Sequence, residues 1–156
     1  MKQLVNLRIN GEDHELAISP DATLLNVLRN ELGLLGTKKG CDTSACGCCT
    51  VHMDGKAVYG CVVYAASAQG AEITTIEGLS QGVEEFDPLQ EAFVEAGAVQ
   101  CGYCTCGMIM SAKQLLNENP TPNEDEIRHA IAGNLCRCTG YTKIVDAIAM
   151  AADKSN

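Results

Sequence analysis

The chain has 156 residues, 46 % hydrophobic but only 4 % aromatic with no Trp, and its 11 basic against 20 acidic residues give a formal charge of −9. So acidic a surface argues against nucleic acid as a partner, and no apolar run approaches the roughly 20 residues that span a bilayer. The length suits one domain or two small ones, and small ones poor in aromatic side chains would need a staple such as bound metal, so the metal-free chain is expected to fold poorly.

Val5, Leu7 and Ile9 alternate with polar residues, Asn10-Gly11 is a strong two-residue hairpin signal, and His14, Leu16 and Ile18 resume the alternation. Thr23 then predicts the cap of a helix carrying Leu24, Leu25, Val27, Leu28 and Leu32 at helical spacing and ending near Gly33. Such a hairpin with a crossing helix predicts a β-grasp sheet. Residues 36–49 lack any period and are rich in Gly, Thr, Ser and Cys, the mark of a long functional loop. A second hairpin is expected through Thr50-Val51-His52-Met53, Asp54-Gly55 and Ala57-Val58-Tyr59, and a last short strand over Glu72 to Ile76.

Beyond residue 78 the pattern turns helical. The expected boundaries are a sheet domain over 1–78, a linker over 79–86 and a helical domain over 87–156. Within the linker, Glu84-Glu85-Phe86-Asp87 reads as a solvated acidic face. Asp87-Pro88-Leu89-Gln90 offers a cap, a Pro in the first turn and a Gln three residues on, with Gly97 as the stop; Thr121-Pro122-Asn123-Glu124 repeats this with Gly133 as its stop. Met108 to Leu116 and Lys143 to Ala152 complete four short helices, with Met108, Ile109 and Met110 expected in their core. The predicted fold class is α+β, an N-terminal β-grasp, plant-type ferredoxin-like domain followed by an all-α four-helix-bundle domain.

Eight of the ten cysteines form two ligand patterns: Cys41, Cys46 and Cys49 with Cys61, and Cys101 and Cys104 with Cys136 and Cys138. Each supplies the four thiolates that a [2Fe-2S] cluster needs, and Cys41-x4-Cys46-x2-Cys49 is the plant-type spacing. In an up-down-up-down bundle the second and fourth helices start at the same end, which would bring the second four thiols together beside two positive helix N-termini. Zinc ribbons prefer C-x2-C at both ends with 15 to 20 residues between, and Cys136-x-Cys138 is too tight for that. Disulfides fit poorly too, because Met1-Lys2-Gln3-Leu4-Val5 has no secretory h-region, so a reducing, cytoplasmic setting is expected. Cys48 and Cys106 are left over and read as small buried or half-buried thiols.

The strings Gly40 to Gly47 with Cys49-Thr50-Val51, Gln100-Cys101-Gly102-Tyr103-Cys104-Thr105, and Gly133-Asn134-Leu135-Cys136-Arg137-Cys138-Thr139-Gly140-Tyr141 resemble the small two-cluster iron–sulfur subunit of the molybdenum hydroxylases, the group of xanthine dehydrogenase, aldehyde oxidoreductase and aerobic carbon monoxide dehydrogenase. The resemblance implies a non-catalytic electron-transfer subunit. It would work with a large molybdopterin-binding subunit and a medium FAD-binding subunit, and Gln100 and Cys138 would approach the pterin. Where the family usually has Ala and Pro, positions 48 and 106 are Cys here. The other reading is a free, soluble two-cluster ferredoxin that docks transiently with several partners.

Overall fold

Alternating burial along Gln3–Ile9 puts Val5, Leu7 and Ile9 on one face, and this strand, β1, pairs antiparallel with Glu12–Ile18, β2, through a turn whose Asn10 and Gly11 both have positive φ (52° and 82°). The computed structural model describes residues 1–80, 82 and 85–154. Thr50–Met53 (β3) and Lys56–Tyr59 (β4) form the second expected hairpin, again over two positive-φ residues, Asp54 and Gly55. Glu72–Thr74 (β5) lies between the two hairpins, parallel to β1 and antiparallel to β3, so the mixed sheet runs β2-β1-β5-β3-β4. Its strand ends two residues before the expected Ile76, where a short 3-10 turn, Ile76–Gly78, takes over.

The helix across the sheet is not the continuous α-helix its periodicity predicts. Thr23 does cap it, accepting from the Asn26 N–H at 3.2 Å, but only Leu24–Asn26 (α1) is α-helical. Val27–Glu31 widens into a π turn, with Leu32 N–H bonded to Val27 O. The extra residue per turn still buries Leu24, Val27 and Leu28 against the sheet, and Leu25 is buried as well.

The second half carries Pro88–Glu95 (α2), Thr105–Glu118 (α3), Glu124–Ala130 (α4) and Thr142–Lys154 (α5), with α2 and α4 each packed between α3 and α5. Asp87 and Gln90 close both halves of the predicted capping box on α2. On α4 the cap is Asn123 and not Thr121, because Asn123 accepts from Glu126 N–H at 3.0 Å and Glu126 reaches back to Asn123 N–H at 2.7 Å. That helix also stops at Ala130, short of Gly133, so that residues 131–141 are free to form a loop. The expected linker 79–86 falls partly on residues 81, 83 and 84, and Glu84 of the acidic stretch lies outside the described residues.

Two apolar clusters form. One joins Val5, Leu7, Ile9, Leu24, Leu28, Val51 and Ile73 around the sheet. The other joins Phe93, Met108, Ile109, Ile144 and Ile148 from the helices and also takes in Cys46 and Cys48 from the long loop. The seam between the halves is polar and paired: His52 Nε2 lies 2.7 Å from Met110 O, and Gln114 Oε1 accepts from Ala57 N–H at 2.5 Å.

Candidate iron–sulfur centres

The loop 36–49 curls tightly because Gly47 and, unusually for a residue with a side chain, Ser44 take left-handed backbone angles (φ 68° and 60°). Gly40 is needed for space instead. A Cβ there would stand 2.9 Å from Cys48 Sγ and 3.0 Å from Cys46 Sγ. The curl brings the thiols of Cys41 and Cys46 within hydrogen-bonding reach of each other, and those of Cys49 and Cys61 likewise.

Cys104 is the N-cap residue of α3, and Cys136 lies in the loop after α4, held by its N–H on the Tyr141 hydroxyl at 2.8 Å. Their thiols form a third pair, and Cys101 and Cys138, with sulfurs 3.6 Å apart, form a fourth. Residues 101–104 and 136–138 thus converge, Cys104 at the start of α3 and Cys136 and Cys138 in the loop that precedes α5. Among the described residues no three His, Cys, Asp or Glu side chains gather about one point as a lone ion would require. The eight thiols gather two by two.

Pairing of this kind matches the donor set of two binuclear centres, since each iron of a [2Fe-2S] cluster takes two thiolates besides its two bridging sulfides. Thr37 adds a second sign of fit. Its hydroxyl is fully buried within the first loop and finds no protein partner, an unusual state for a buried donor.

Charge is distributed unevenly over the thiols. The Thr43 N–H, then Cys46, pull the Cys41 thiol down to about 6. Burial pushes Cys49 and Cys104 up to about 12. At Cys136 burial acts upward, but the Thr139 hydroxyl at 3.2 Å and nearby N–H groups outweigh it and leave the thiol below its ordinary value. Cys138 is raised, chiefly by its bond with Cys101. In the first set Cys41 favours the thiolate, while buried Cys49, like Cys104 in the second, holds its proton until metal displaces it.

The two sets are stitched together. Leu135 N–H donates to Cys46 O at 2.9 Å, Asn134 Nδ2 to Gly47 O at 2.9 Å, and Tyr59 OH to Gly133 O at 2.9 Å, while Ser111 Oγ holds Asn134 Oδ1 at 2.8 Å. Backbones touch so closely here that a Cβ on Gly107 would meet Gly47 O at 2.3 Å. Asn134, Ser111 and Tyr59 were not legible as linking residues; the Gly133–Tyr141 string carries the only hint.

Cys101 and Cys138 are exposed, as is Gln100 beside them. Tyr103 and Leu135 are also solvent-facing there, at 46 % and 55 % exposure. The first set reaches solvent at Cys41, flanked by exposed Asp42 and Thr43. Cys106 is half-buried and outside the four pairs, whereas Cys48 is buried and its thiol also comes within hydrogen-bonding reach of Cys46.

Residues 7–74 match the 2Fe-2S iron-sulfur cluster binding domain, and residues 75–149 the [2Fe-2S] binding domain. The chain is 46 % identical over 155 residues to the nicotinate dehydrogenase small FeS subunit of Eubacterium barkeri, covering 98 % of this chain and 97 % of that one. It is also 46 % identical over 149 residues to the aldehyde oxidoreductase of Megalodesulfovibrio gigas, but spans only 16 % of that longer protein against 94 % of itself. Among solved structures, quinoline 2-oxidoreductase from Pseudomonas putida 86 superposes with a TM-score of 0.94 at 43 % identity, over 99 % of this chain and 96 % of that one. With two ligand sets in place and relatives matched end to end, the chain belongs to the small [2Fe-2S] iron–sulfur subunits of the molybdenum hydroxylases, and it serves a multi-subunit oxidoreductase by electron transfer.

Proposed function

We propose that Cys101, Cys104, Cys136 and Cys138 hold the cluster nearer the molybdopterin of a large subunit, and that Cys41, Cys46, Cys49 and Cys61 hold the one that hands electrons on. A bound [2Fe-2S] cluster supplies one-electron storage. Everything else is done by the protein: thiolates fix the metal, N–H groups of the first loop donate to sulfur, and the surrounding apolar cluster keeps water from the space between the sets. The observation that carries this reading is the Leu135 N–H bond to Cys46 O, which joins the peptide next to one ligand, Cys136, directly to another ligand of the other set.

Polarity of the relay follows from what each end exposes. Gln100 and Cys138 stand at an open, partly apolar face, suited to covering by a large subunit, and are proposed to meet the pterin. Cys41 opens among polar residues, suited to a second partner, proposed to be an FAD-binding subunit. The four helices are proposed to act as a bundle with the second set at one end, within a unit over 87–156 joined by 79–86 to a β-grasp unit over 1–78, and the complex to work in the cytoplasm. A free ferredoxin would need no such covered face.

Iron and acid-labile sulfide analysis of the native protein tests this reading. About four of each per chain are expected, and about two of each in Cys61→Ala and in Cys104→Ala separately, with molybdenum co-purifying. A native chain that runs alone near 16.5 kDa and free of molybdenum would contradict it.

A further inference from the structure

Cys48 lies between two ligands of the first set in the chain, yet its surroundings belong to both sets. It is 6 % exposed and shares one apolar cluster with Cys46 and Cys104. Its backbone N–H points at Cys46 Sγ, 3.5 Å away, and its thiol donates weakly to Cys46 O at 3.9 Å. On the other side its Cα lies 3.1 Å from where a Cβ on Gly107 would stand, three residues into α3 from Cys104. Its sulfur and that of Cys46 face the same point, 2.9 and 3.0 Å from where a Cβ on Gly40 would stand.

We propose that Cys48 is a tuning residue of the relay: its thiol fills the space between the two ligand sets and sets the difference in reduction potential between the centres they hold. This rests on the function proposed above. Reduction adds negative charge to a centre that is already anionic, and a donor dipole and polarisable sulfur beside its ligands favour that charge. The thiol contributes both to the first set, which it adjoins most closely, and is not itself consumed or oxidised.

Redox titration of the native complex followed by EPR tests the proposal on the wild type, Cys48→Ala and Cys48→Ser. Alanine keeps the N–H to Cys46 Sγ but removes the sulfur; serine keeps a side-chain donor of similar size. The expected result in Cys48→Ala is about four irons retained and the first centre moved to lower potential relative to the second, changing the electron's partition about threefold, roughly 28 mV at 59 mV per tenfold. Cys48→Ser is expected to move less than half as far, or the opposite way. An unchanged potential difference in both variants overturns the proposal, as does an equal shift in both, which would mark simple packing. Loss of two irons in Cys48→Ala overturns it too, by making Cys48 a ligand. A wild-type protein that already lacks four irons refutes the proposed function itself, a separate outcome.

Discussion

Asn134 is 2 % exposed and spends its amide on three partners, Gly47 O, Thr50 Oγ1 and Ser111 Oγ, none of them near it in sequence. Replacing it with Ala takes the acceptor from the buried Ser111 hydroxyl, while Gly47 O keeps the Thr50 N–H and hydroxyl, so Asn134→Ala is predicted to cost about 1–3 kcal/mol in a holo-protein melt. His52 offers a different test. Burial lowers its pKa, the bond to Met110 O opposing and Lys113 adding to the effect, so the folded state resists protonation. Because the unfolded chain binds that proton at an ordinary value near 6.5, stability is predicted to fall as pH drops below about 6.5 and to continue falling until the lower folded value is passed. His52→Gln, which can still donate to Met110 O, is predicted to flatten that slope in melts taken between about pH 5 and 7; an unaltered slope would rule His52 out. The eight paired thiols were legible because they stand at ligand spacings in the sequence. Asn134 was not, since its bonds close loops of 84 and 87 residues and no local pattern encodes them.

Hairpins and caps are local, and both hairpin turns and the Asp87 capping box were legible, while on α4 the expected Thr121 cap gave way to a box of Asn123 and Glu126. The π turn over Val27–Glu31 was not, because its leucines and valine suit an α-helix equally well and only packing on the sheet selects the wider turn. Element packing also separates glycines that look alike in sequence. Gly97, just past α2, has φ 66° and open space around it, so Gly97→Ala pays only for backbone strain, about 1 kcal/mol. Gly107 sits within α3, where a Cβ would drive against Gly47 O. Gly107→Ala is thus predicted to destabilise more than Gly97→Ala, by about 1–3 kcal/mol further, and to broaden the EPR signals of both centres as α3 is pushed off the first loop. Equal melting temperatures for the two variants would contradict that contact.

Across the molecule, two halves with separate apolar clusters are joined by a seam of hydrogen bonds concentrated where the ligand loops meet. With Cys46 and Cys48 counted in the helical cluster, any disorder of the first loop on metal loss would also open the helical core. Chelation is accordingly predicted to replace the cooperative melt with a broad, low-temperature transition; a sharp melt of the metal-free protein would show that the helices and sheet suffice alone. The α+β class and the presence of two ligand sets could be read from periodicity and cysteine spacing. How the halves face each other could not, because the seam is built from side chains such as His52, Tyr59 and Gln114 whose polar character is common on any surface. EPR of the dithionite-reduced native protein probes most directly whether two centres exist on two sets of four thiolates: the account predicts two distinguishable signals integrating to about two spins per chain, and a single signal, or about one spin, would contradict it.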